Sequence, residues 1–136
     1  VEERAVALVQ REDGRWLLHK RPESGLLANL WEFPNVEYTE AENAREWLSV
    51  HMYETFGIKC IPQDLVMEHS HVFSHLQWNL YTYLCGYEGQ EERRGSAIAK
   101  ERVMWVAIEE MDAYPFSVSH KKIVDALREG FQQSLL

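Results

Sequence analysis

An α/β (α+β) sandwich, with a central mixed β-sheet and helices packed outside it, is predicted by three observations. Short apolar runs with two-residue alternation fill the middle of the chain, a stretch with four-residue apolar spacing interrupts them, and a second such stretch closes the chain. Elements of both kinds must bury their apolar faces on one another, which leaves few layer arrangements. At 136 residues and 46% hydrophobic, the chain has the length of one domain with a substantial core, so residues 1–136 are read as a single domain.

Arg4 to Gln10 and Arg15 to Lys20 are apolar runs on either side of Arg11-Glu12-Asp13-Gly14, and an Asp-Gly turn between such runs predicts that the first two strands pair as a hairpin. Pro22 to Asn29 is a loop, and Leu30-Trp31-Glu32-Phe33-Pro34 is a short strand ended by proline, with Trp31 and Phe33 read as core. Thr39, with Glu42 three residues on, has the capping-box pattern and predicts a helix start. Ala44, Leu48, Met52 and Phe56 repeat along one face of that helix, and Gly57 stops it. Ile58 to Ile61, Leu65 to Val72 and Leu76 to Cys85 are read as strands, and the charged stretch Glu88 to Ala99 as an exposed connection. Val103 to Val106 is a further strand and Glu109 to Ala113 a helical turn. Ser117 or Ser119 then caps the closing helix, whose Ile123, Leu127 and Phe131 face inward.

The net charge of -8 argues against strong nucleic-acid binding by this chain alone, because Lys and Arg contacts to phosphate supply most non-specific affinity. The basic residues are local. Lys20 with Arg21 and Arg93 with Arg94 read as solvated surface, whereas Lys121 and Lys122 follow His120 at the start of a helix, where free amides favour anions. Cys60 and Cys85 lie singly in strand-like runs and read as buried thiols. With no secretory signal and no apolar run of about 18 residues, the chain is expected to be soluble, cytoplasmic and monomeric. It opens on Val1 and enters a strand almost at once, which predicts a segment of a longer protein.

The stretch His69-Ser-His-Val-Phe-Ser-His-Leu-Gln-Trp78 stands out. It carries three histidines, two serines and two aromatics between strand-like runs, yet has none of the Gly, Pro, Asn or Asp residues that normally make turns. Its polar groups are therefore read as selected for what they touch, and the binding site is placed here. His69, His71 and His75 with Glu68 would be the material for a metal site, but no cysteine or further carboxylate joins them at a convincing spacing, so none is expected.

The order hairpin, loop, Trp-Glu-Phe-Pro and a helix ending Glu54-Thr-Phe-Gly-Ile58 resembles the Nudix fold. That family's helix carries a box ending Arg-Glu-(apolar)-x-Glu-Glu-x-Gly-(apolar), whose carboxylates hold the divalent metal used to cut a nucleoside diphosphate bond. Aligned on Gly57, this chain has Val50, His51, Met52, Glu54 and Thr55, so only Glu54 of the acidic set is present. Hard cations such as Mg²⁺ need several oxygen ligands, so neither a metal nor hydrolysis is expected.

Gly25-Leu-Leu-Ala-Asn-Leu-Trp-Glu-Phe-Pro34, His71-Val-Phe-Ser-His-Leu-Gln-Trp78 and Pro115-Phe-Ser-Val-Ser-His120 resemble three signatures of the C-terminal domain of A/G-specific adenine DNA glycosylases, the MutY family. They fall in that family's order and span essentially the whole chain. The resemblance implies a Nudix-like domain that is itself non-catalytic and recognises 8-oxoguanine opposite adenine in double-stranded DNA. A separate N-terminal helical domain, absent here and carrying an iron-sulfur cluster, would flip and excise the adenine in base excision repair. The implied setting is a bacterial cytoplasm, on the nucleoid, with that catalytic domain as partner and no cofactor in this chain.

The lesion-contacting loop of the family matches Phe73, Ser74 and His75. The chemistry agrees: guanine presents only acceptors at N7 and O6, whereas oxidation at C8 turns N7 into an N-H donor and adds an O8 acceptor. A serine hydroxyl accepts from that donor, loop amides donate to nearby oxygens, and Phe73 offers an apolar surface beside the base. Ser119 and His120 are expected first as helix-capping residues and second as phosphate neighbours, with Lys121 as a further phosphate-binding candidate. Two other readings are an independent Nudix hydrolase of an oxidised or ordinary nucleotide, and a Nudix-like scaffold that binds another protein.

Overall fold

Residues 1–91 and 98–131 are described by the computed structural model. Among these residues seven strands and two α-helices follow one another as β1 (Glu2–Val9), β2 (Trp16–Lys20), β3 (Trp31–Glu32), β4 (Asn35–Tyr38), α1 (Ala44–Phe56), β5 (Ile58–Phe73), β6 (Leu76–Gln90), β7 (Val103–Val106) and α2 (Val118–Arg128). A four-stranded mixed sheet has the order β4-β1-β6-β5, in which β1 runs parallel to β6 and the other pairs are antiparallel. A smaller antiparallel sheet has the order β3-β2-β7.

The apolar runs at the start of the chain form β1 and β2, but they do not make a hairpin ladder. The Asp13-Gly14 turn closes, with the Arg11 N-H donating to the Arg15 carbonyl at 2.8 Å and Gly14 at φ 87°, yet pairing ends at one bridge between Gln10 and Trp16. The cause lies beyond the turn. Ala5 to Val9 are buried on both faces, so β1 sits inside the large sheet and both of its edges are taken by β4 and β6. No edge is left for β2, which crosses to the second sheet.

The capping pattern at Thr39 also does not start α1. A 3-10 turn, Ala41–Asn43, intervenes, and α1 begins at Ala44 with Asn43 in the N-cap position and no side-chain cap bond. The Asn43 amide is occupied elsewhere, donating to Glu40 Oε2 at 2.7 Å. Tertiary packing fixes the helix instead: Ala44, Leu48 and Met52 are buried against the large sheet, and Gly57 ends the helix in the left-handed region at φ 69°. At the other end of the chain Ser117 holds the N-cap position of α2.

The runs Ile58 to Ile61 and Leu65 to Val72 are one strand, β5, interrupted by register shifts around Pro62 and Leu65. Proline donates no ladder hydrogen bond, and a bulge on an edge strand accommodates it. β6 continues to Gln90, so the start of the expected 88–99 connection is strand; Arg93 and Arg94 lie outside the described residues. One core cluster brings Val6, Leu8, Trp31, Phe33, Trp78, Leu80, Ile123 and Val124 together, and the other packs α1 onto Ala5, Ala7, Ile58, Cys60 and Cys85. Both cysteines are buried free thiols.

Candidate functional site

β5 and β6 are paired to their ends, where Phe73 faces Leu76 across a two-residue turn of Ser74 and His75. Ser74 has φ 28°, at the first central position, where turns of this length usually place a residue free of Cβ. Ser74 and His75 are exposed and Phe73 is half-buried. The turn thus puts a hydroxyl and an imidazole in solvent on a strained backbone, an arrangement met more often at functional sites than elsewhere.

Aromatic contacts fix the turn from below. Phe73 meets Trp78 edge to face with centroids 4.8 Å apart, and His71 meets Phe73 in the same way at 4.5 Å. Trp78 is almost wholly buried, with its indole capped by two guanidinium groups: Arg4 Cζ lies 4.9 Å from the ring centroid and Arg21 Cζ 5.5 Å. His69, further down β5, ties the arm to α2 by donating from Nε2 to the Ser119 carbonyl at 2.9 Å. Burial lowers the pKa of that imidazole, so it serves as a neutral brace at neutral pH.

Of the residues expected near phosphate, Lys121 is exposed, while Ser119 and His120 are fully buried. Ser119 Oγ lies 3.4 Å from Ser117 Oγ, and His120 Nδ1 accepts the Phe33 N-H at 3.0 Å. Both side chains therefore face inward, because the cap position belongs to Ser117 and the helix has already turned them toward the sheet. Lys121 Nζ is 2.9 Å from Asp125 Oδ1, which offsets part of its charge.

The degenerate box on α1 has a different environment. His51 Nδ1 and Thr55 Oγ1 form a hydrogen bond at 3.2 Å, and the rings of His51 and His19 both pack edge-on against Phe56. Burial, with the neighbouring Arg4 and His19, lowers the pKa of His51. Glu32 is the buried carboxylate of this region, and it is engaged by Arg21 Nη1 at 3.0 Å and His19 Nδ1 at 3.4 Å. Burial pushes the Glu32 carboxyl up, but the His19 hydrogen bond and the neighbouring charges outweigh it and hold the group at about 2. The box keeps only Glu54 of its acidic set, and the imidazoles, the hydroxyl and the already neutralised Glu32 of this region do not add the oxygen ligands that a divalent metal needs.

Arg4 and Arg21 were not legible as part of the site. A cation at the end of an apolar run, as in His19-Lys20-Arg21, is a weak hint, and only the fold shows which ring it covers. No helix among the described residues is long and apolar enough to cross a membrane.

The NUDIX domain family matches residues 5–126. Adenine DNA glycosylase from Arabidopsis thaliana is 31% identical over 108 residues, or 70% of this chain, and the chain spans 17% of that relative's length. The C-terminal domain of mouse MUTYH, solved in complex with human PCNA, superposes with a TM-score of 0.72 at 24% identity, covering 96% of this chain and 89% of that one. A NUDIX hydrolase from Nitrosomonas europaea superposes with a TM-score of 0.77 at 16% identity, covering 95% and 89%. The two structural likenesses show the fold, a mixed sheet with helices packed on it. The chain belongs to the NUDIX domain family, and it is similar to adenine DNA glycosylases over most of its length.

Proposed function

We propose that the chain is a non-catalytic recognition module of an adenine DNA glycosylase, reading 8-oxoguanine opposite adenine in double-stranded DNA. The observation that carries this reading is the exposed, strained Ser74 at the end of the β5-β6 arm, with Phe73 and His75 beside it. Ser74 Oγ accepts the N7 hydrogen of 8-oxoguanine, a hydrogen that guanine lacks, and the loop amides donate to O8. Phe73 supplies an apolar edge to the base. Excision of adenine belongs to a domain outside these residues, with its iron-sulfur cluster, and Lys121 contributes a phosphate contact that carries no base information.

The test uses the parent protein, duplexes with a non-cleavable adenosine analogue opposite guanine or 8-oxoguanine, and fixed salt. Ser74→Ala is expected to weaken binding to the 8-oxoguanine duplex by a few-fold to about tenfold, the range of one hydrogen bond, and to leave the guanine duplex almost unchanged. Lys121→Ala is expected to weaken both duplexes alike and to reduce the salt dependence. Equal losses on both duplexes for Ser74→Ala would show that the turn only positions the backbone.

A second prediction concerns the alternative of nucleotide hydrolysis. With His51 and Thr55 in place of box carboxylates, the chain is expected to release no product from nucleoside triphosphates or 8-oxo-dGTP with Mg²⁺ or Mn²⁺. Metal-dependent turnover that disappears in Glu54→Gln would reinstate the hydrolase.

A further inference from the structure

Three direct contacts, Glu32 to Arg21, Arg21 to Trp78 and Trp78 to Phe73, join the interior to the recognition turn. Arg21 Nη1 donates to Glu32 at 3.0 Å and its Nε donates to the Leu26 carbonyl at 3.0 Å, so two corners of one planar group are fixed. The same guanidinium lies over Trp78, whose edge-to-face partner is Phe73. Its backbone is held as well, because Arg102 Nη1 donates to the Arg21 carbonyl at 2.6 Å while Nη2 donates to Asn29 Oδ1 at 3.2 Å. The 22–30 loop gripped in this way is itself strained, with Leu27 at φ 55° and Asn29 at φ 62°. β1 pairs with β6 from Trp78 onward, so the ladder beyond Trp78 has no support from β1 and the aromatic contacts carry the turn.

We propose that Arg21 is a positioning residue for the recognition turn: bound to Glu32 and Leu26, it holds the Trp78 indole in place, and through Phe73 it sets where Ser74 presents its hydroxyl. The inference rests on the recognition reading above. A cation on a desolvated indole face and a fork fixed at two acceptors resist sliding of the ring, and a misplacement of the hydroxyl by a fraction of an ångström weakens a hydrogen bond that depends on direction.

The competing account is that Arg21 only neutralises the buried Glu32. Removing Arg21 alone would leave that carboxylate short of a partner and destabilise the fold, so a double variant separates the two accounts. In the parent protein, Arg21→Met and Arg21→Met combined with Glu32→Gln are measured on the same paired duplexes, below their thermal midpoints. Both are expected to narrow the preference for 8-oxoguanine by about three- to tenfold, as for a lost or misdirected hydrogen bond, although the double variant regains thermal stability. The amide signals of Ser74 and His75 in the 136-residue chain are expected to shift in both. Arg21→Lys keeps the charge without the fork and is expected to narrow the preference in part.

Full preference in the double variant or in Arg21→Lys, with these amide signals unmoved, would overturn the proposal and leave only charge compensation. Ser74→Ala is measured in parallel. If it narrows the preference and the Arg21 variants do not, the positioning role fails while the recognition reading stands; if none of them narrows it, both fail.

Discussion

Acidification from pH 6.5 to pH 4 is expected to cost the fold about 3 kcal/mol through His120 alone. The imidazole is fully buried, and that burial, with the neighbouring His69, Arg4 and Arg21 outweighing the opposite pull of Glu32, lowers its pKa to about 4. Geometry acts in the same direction: Nδ1 accepts the Phe33 N-H at 3.0 Å, so a second proton must enter at the atom already used as an acceptor. The folded state thus binds the proton less readily than the unfolded chain. The contribution is complete above the ordinary histidine pKa of 6.5 and is lost as pH falls toward the folded value of about 4. His51 and His69, also lowered by burial, act in the same sense, whereas Glu32 acts only lower, between 4.5 and about 2. Urea midpoints taken across this range should fall with pH, and His120→Asn should flatten the profile while lowering stability at pH 7. An unchanged slope in that variant would transfer the effect to the other histidines.

Phe33→Ala is expected to be the most damaging single truncation in the large core, at about 3 to 5 kcal/mol. Phe33 is fully buried between Phe116, 6.0 Å away, and His120, 6.1 Å away, so its truncation opens a cavity in the core. The urea midpoint should drop while the slope stays near its original value, because the same surface is exposed on unfolding. The cavity would open beside His120. Water entering it should relax the imidazole toward its ordinary titration, so the pH dependence above should weaken in the same variant. Phe33→Leu, which leaves less space, should cost distinctly less on both measures.

What could be read before folding was whatever depends on residues close in the chain. The four-residue spacing from Ala44 to Phe56, the stop at Gly57 and the apolar run Val103–Val106 each appear where the sequence puts them, the helix because Ala44, Leu48 and Met52 all turn inward. The hairpin at Asp13-Gly14 was misread although its turn forms, because strand pairing depends on which edges are free and β1 has none. Thr39 carried a capping pattern without being a cap, for a related reason: helix position was decided by the depth of Leu48 and Met52. At the candidate site, turn chemistry marked the stretch His69 to Trp78, and the resemblance to the MutY family narrowed it to Phe73, Ser74 and His75. The brace beneath them did not stand out, since it joins Arg4 and Arg21 to Trp78 and His69 to Ser119, residues far apart along the chain.

Ser74 combines a left-handed backbone with the hydroxyl that the recognition reading requires. Glycine would relieve the backbone and delete the hydroxyl in one substitution. A library sorted only for thermal resistance should therefore enrich glycine at this position, and on the recognition reading the survivors should be sturdier proteins whose preference for the damaged base is narrowed by a few-fold to about tenfold. On the same reading, a library sorted for discrimination should instead keep serine, so the residue frequencies recovered under the two regimes would report separately on folding and on reading.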